Sequence, residues 1–129
     1  MLALIDADDQ HHRAMVEIYE SAPDQWVLPW AILPEIDYML LQHVGIAAER
    51  AFLNDLAEGS LAVEWGHDGD MQRANEICRK YRDLKLGLVD ATVAAMAERL
   101  RAVAIATLDV RHFGALKLDG APVLLPRDA

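Results

Sequence analysis

The sequence predicts an α/β fold, a single domain in which a mainly parallel central sheet is flanked by helices as an α/β/α sandwich. Two observations carry the prediction. Short apolar runs alternate with longer amphipathic segments along the whole chain, the pattern of strand–helix units that build a parallel sheet. The chain is also 129 residues long and 53% hydrophobic. That is one domain's worth of sequence, able to bury roughly two-thirds of its unfolded surface, and too apolar for intrinsic disorder.

The elements follow in order. Residues 1–5 are an apolar run ending in Asp6, and residues 10–22 carry Met15, Ile18 and Tyr19 at helical spacing. Residues 26–28 form a short strand candidate closed by Pro29. Ile32, Ile36, Met39 (or Leu40) and Val44 then mark one buried helix face, stopped by Gly45. A second helix is expected over Ile46–Glu58, buried through Phe52, Leu53 and Leu56 and ended by Gly59. Residues 61–65 resemble a strand, and Asp68 is the expected N-cap of a helix reaching about Tyr81. After Gly87, the residues Val89, Val93, Met96, Ala97 and Leu100 mark another helix, and residues 103–107 and 122–125 are the last strands.

Composition excludes several classes. Cys78 is the sole cysteine, so neither a disulfide framework nor a multi-cysteine zinc site is available. No apolar run approaches the ~20 residues of a membrane span and no signal-peptide pattern is present, so a soluble, cytoplasmic protein is expected. The net charge of −9 speaks against a nucleic-acid partner until its distribution is seen. Residues 1–70 hold 14 acidic and 2 basic side chains, and residues 71–129 hold 7 and 10. Arg73, Arg79, Lys80, Arg82 and Lys85 fall in one stretch, which reads either as a solvated helix face or as a phosphate-binding rim.

Three carboxylates sit where surface duty explains them poorly. Glu35 and Asp90 lie in the first turns of apolar helices, and Asp109 directly follows a strand. Each alone could be a carboxylate at a helix start. Helix starts and strand C-termini share one edge of a parallel sheet, so together they can converge. Like charges in one site repel, and a hard divalent cation with oxygen ligands resolves the repulsion. Mg²⁺ or Mn²⁺ suits such ligands better than zinc, and supports phosphodiester hydrolysis.

The strings Pro34-Glu-Ile-Asp-Tyr38, Gly87-Leu-Val-Asp90-Ala91 with Ala97-Glu98-Arg99, and Thr107-Leu-Asp109-Val-Arg111-His112-Phe113 resemble the PIN domain, and within it the VapC ribonuclease toxins of toxin–antitoxin pairs. The resemblance covers essentially the whole chain. It implies a Mg²⁺- or Mn²⁺-dependent endoribonuclease with Glu35, Asp90 and Asp109 as its catalytic and metal-holding residues. It also implies an RNA substrate (a structured loop of tRNA or rRNA type), a VapB-type antitoxin and a homodimer. Arg79, Lys80 and Arg82 are the candidate RNA contacts. The family has a further Asp at the end of its first strand. Here that residue would precede Met1, which is the favoured expectation, or Asp6 would take its place. A catalytically degenerate binding module and another Mg²⁺-dependent phosphohydrolase are the competing readings. His11, His12, His43 and His67 have no evident partners, His112 is expected to pack the chain against the domain edge, and Cys78 to be a small buried residue. Trp26, Trp30 and Trp65 are expected in the core or a dimer interface.

Overall fold

The structure is a computed structural model that describes residues 26–107, 110–125 and 128. The expected strand at 1–5, the helix at 10–22, Asp6 and Asp109 lie outside the described residues. The chain divides into two compact units, Met1–Trp65 and Gly66–Ala129. Among the described residues each contains one parallel strand pair, so the parallel pairing expected of an α/β chain is present in both.

In the first unit, β1 (Leu28–Pro29) pairs with β2 (Val63–Glu64), Leu28 opposite Val63 and Pro29 opposite Glu64. Pro29 is the last residue of its strand rather than its terminator, a position at which a missing N–H is tolerated. A 3₁₀ turn at Trp30–Ile32 leads into α1 (Leu33–Met39), with Pro34 in its first turn. The single helix expected to run to Val44 instead changes winding. Leu40–Val44 is a π turn, closed by the Gly45 N–H donating to the Leu40 carbonyl at 2.8 Å. The wider turn swings the following side chains off the buried stripe: Ile36 is buried, but Val44 is 53% exposed. Gly45 has φ 138°, open to a residue without Cβ.

Helix α2 (Ile46–Glu58) has the expected bounds. It ends in a Schellman motif, with Ser60 N–H bonded to Asp55 O and left-handed Gly59 N–H bonded to Leu56 O. Its expected apolar face is corrected, however. Leu53 is 40% exposed, Phe52 and Leu56 are half-buried, and the buried residue is Glu49.

The second unit is built around two packed helices. Helix α3 (Asp68–Lys80) packs on α4 (Leu88–Arg99), joined by a 3₁₀ turn at Arg82–Leu84. Then come β3 (Ala104–Ala106), α5 (Val110–Ala115) and β4 (Val123–Leu125), with Ala104, Ile105 and Ala106 opposite Val123, Leu124 and Leu125. The core is built from Ala74, Ile77, Ala91, Ala94, Ala95, Ala97, Ile105, Phe113 and Leu124. Alanine on facing positions lets helices approach closely, which is why the largest expected apolar residues do not all face inward. Met96 is buried, whereas Leu100 and Val103 are exposed. Cys78 packs against this core with its Sγ 3.8 Å from the Leu86 carbonyl. Among the described residues, no helix is long and apolar enough to cross a membrane.

Two paired ion bridges clamp α3 to α4. Arg99 donates from Nε to Asp70 Oδ1 (2.6 Å) and from Nη2 to Asp70 Oδ2 (2.9 Å). Arg73 donates from Nε to Glu98 Oε1 (2.6 Å) and from Nη2 to Glu98 Oε2 (3.1 Å). Both pairs have the two-point geometry that distinguishes arginine from lysine. Glu98 also accepts the Asp119 N–H at 2.8 Å, tying in the loop before β4. Asp70 accepts the His67 N–H at 3.0 Å, so His67, not Asp68, is the N-cap of α3. Asp70 reaches back to the cap because it occupies the third position of the helix, as in a capping box.

Candidate active site

Asp90 is the third residue of α4, following Gly87 at the N-cap, where the helix dipole favours a carboxylate. The alanines beside it fix its place, since Ala91 and Ala94 are essentially fully buried in the core. Its own side chain is 28% exposed, and its Oδ2 lies 3.4 Å from His112 Nδ1. His112 is held by α5, whose next residue, Phe113, is buried in the same core. To the expectation that His112 packs the chain against the domain edge the structure adds that its ring meets the candidate carboxylate. The sequence signal was available, for His112 stands three residues after Asp109 in the Thr107–Phe113 string.

The other candidates fall elsewhere. Glu35 is in the first turn of α1, in the first unit, and is exposed. Asp109 falls between β3 and α5, outside the described residues. No group of three His, Cys, Asp or Glu side chains that could hold a metal is found among the described residues. Within the second unit, Asp90 and His112 are the described pair that the fold brings together.

The basic stretch sorts into two kinds. Arg73 is committed to Glu98 and Glu76, and Glu98 raises its pKa further above the ordinary arginine value. Arg79, Lys80 and Arg82 are exposed and make no salt bridge among the described residues; Lys80 lies 5.3 Å from the centre of the Tyr81 ring. Trp65 is 68% exposed, which excludes the core and leaves the dimer interface of the two places expected for it.

A second carboxyl pair lies in the first unit. Glu49 is 3% exposed, and Asp37 Oδ1 is buried without a hydrogen-bond donor among the described residues. Two carboxylates can share a hydrogen bond only if one keeps its proton. The bond to Asp37, then burial, accordingly push Glu49 above its ordinary value, against the pull of Arg50, whose Nη1 is 2.7 Å from Glu49 Oε1. Neither periodicity nor motif pointed to this pair.

Against this geometry, the PIN domain family model matches residues 1–117. The chain belongs to the PIN domain family. Ribonuclease VapC26 of Mycobacterium tuberculosis (strain ATCC 25618 / H37Rv) is 36% identical over 120 residues, covering 93% of this chain and 89% of the relative. The PIN protein described here is thus of the VapC ribonuclease type, as the strings around Glu35, Asp90 and Asp109 implied.

Proposed function

We propose that this PIN protein is a metal-dependent endoribonuclease, the toxin of a toxin–antitoxin pair, with Glu35, Asp90 and Asp109 serving a Mg²⁺ or Mn²⁺ ion. The identity to a VapC ribonuclease along nearly the whole chain carries the reading. The donor set fits the ion: carboxylate oxygens are the ligands of hard divalent cations, and Asp90 stands partly exposed at a helix start where such an ion can reach it. When bound, the ion supplies Lewis-acid polarisation of the scissile phosphate and stabilises the charge that develops there. Asp90 and its partners would hold that ion by their carboxylate oxygens. Hydrolysis adds the oxygen of a water to phosphorus and breaks the bond to O3′, which takes up a proton, leaving 5′-phosphate and 3′-hydroxyl ends.

Arg79, Lys80 and Arg82 are proposed to hold the RNA backbone, supported by their exposure and by the contrast with the committed Arg73. Replacing all three with Gln should reduce the log–log salt slope of RNA binding by roughly 0.7 per lost phosphate contact. An unchanged slope removes them from the interface. A VapB-type antitoxin and a homodimeric state belong to the same proposal.

The function is tested with purified protein and structured RNA. Cleavage should require Mg²⁺ or Mn²⁺, stop on chelation, and yield 5′-phosphate ends. Chelator-insensitive cleavage giving 2′,3′-cyclic phosphates would contradict the reading.

A further inference from the structure

We propose that His112 is a positioning residue: its Nδ1–H holds the Asp90 carboxylate in the orientation in which it serves a divalent cation. The proposal rests on the assignment of Asp90 as a metal-holding residue made above. Its geometric basis is the 3.4 Å approach of Nδ1 to Oδ2 between two helices 22 residues apart in sequence. Both side chains are partly shielded, 24% and 28% exposed, so the contact is neither a surface encounter nor a buried structural pair. Both are also mounted rigidly: Phe113 anchors the helix of His112, and Ala91 and Ala94 anchor that of Asp90.

An ionised carboxylate only accepts hydrogen bonds, so the proposed bond requires the proton on Nδ1. At 3.4 Å the contact is longer than the 2.7–3.2 Å of a formed N–H···O bond. Contacts at catalytic sites commonly tighten only when the site is loaded. Partners that orient a metal-holding carboxylate without touching the ion typically contribute roughly 10–100-fold to metal affinity. The bond need not be unique to His112. The side-chain amide N–H of asparagine is the closest equivalent of Nδ1–H, whereas alanine has no donor.

The test is a calorimetric titration of Mn²⁺, without RNA, into wild type, Asp90→Asn, His112→Ala and His112→Asn at one neutral pH. Asp90→Asn should lose the binding. His112→Ala should weaken it by roughly 10–100-fold, and His112→Asn should recover most of the loss, which a general packing defect would not allow. If Asp90→Asn loses the binding while His112→Ala retains wild-type affinity, the His112 assignment fails and the Asp90 assignment stands. Tighter Mn²⁺ binding by His112→Ala also overturns the proposal, because His112 would then be a counter-ion competing with the metal. If Asp90→Asn binds Mn²⁺ as wild type does, the Asp90 assignment fails and the positioning role falls with it. A second readout uses the metal-free protein: ¹⁵N spectra should show His112 with its proton on Nδ1, and a neutral ring protonated on Nε2 contradicts the contact.

Discussion

In residues 66–129 the buried carboxylates Asp70 and Glu98 each meet a guanidinium through two bonds, whereas in residues 26–65 the buried carboxylate Glu49 meets another carboxyl group. The same residue chemistry thus has opposite consequences. Arg99 holds Asp70 below the ordinary carboxylate range, and Arg73 does the same for Glu98. Asp37 pushes Glu49 above it. Among the described residues the buried apolar side chains also differ: those of the second unit form an alanine-rich core, and those of the first are Ala31, Leu33 and Ile36, while both units keep several large apolar side chains exposed. Asp90 is mounted on α4, which the two ion bridges hold to α3. A side chain proposed to hold a metal needs a fixed backbone beneath it, and the bridges supply one for α4.

The comparison is broken most severely at Asp70. Asp70→Ala removes a two-point bond to Arg99 and the acceptor for the His67 N–H together. Hydrogen bonds to charged groups set the expected loss at about 2–3 kcal/mol, below the fully buried limit because Arg99 is 26% exposed. Chemical denaturation measures it; a loss under about 0.5 kcal/mol would mean that the clamp does not hold the helices.

A smaller effect separates the units by pH. For Asp70 and Glu98, whose native pKa values are lowered, the stabilisation is present above the ordinary carboxylate range and is lost as pH falls through the native values. For Glu49 the sign reverses. The native state binds the proton more tightly than the unfolded chain, so its contribution is full below about 4.5 and is lost as pH rises through the higher native value. Glu49→Gln, which keeps a hydrogen-bond donor toward Asp37 at every pH, should raise the melting temperature at pH 7 and flatten this decline. A variant less stable than wild type at pH 7 would show that Arg50 and Glu49, not Glu49 and Asp37, dominate the site.

Much of this architecture was legible in the sequence because it depends on local pattern. The bounds of α2, its Gly59 stop, the strand around Ile105 and the placement of Asp90 at a helix start all follow from periodicity and punctuation. What was illegible depends on partners distant in sequence. Glu49 reads as a solvated charge until Asp37 is beside it, and Arg73 reads as part of a basic face until Glu98 claims it. The winding change at Leu40–Val44 keeps the apolar spacing while rotating the face it marks. His112 shows the same limit, since a histidine's role is set by what its ring nitrogen meets.

The central proposal is that Glu35, Asp90 and Asp109 are each required for metal-dependent cleavage of RNA, and single-turnover cleavage tests it directly. Glu35→Gln, Asp90→Asn and Asp109→Asn should each lose cleavage at saturating Mn²⁺, and the double variants should cost little more than the worst single one, because residues acting as a unit are non-additive. Wild-type cleavage by Asp90→Asn would contradict the account.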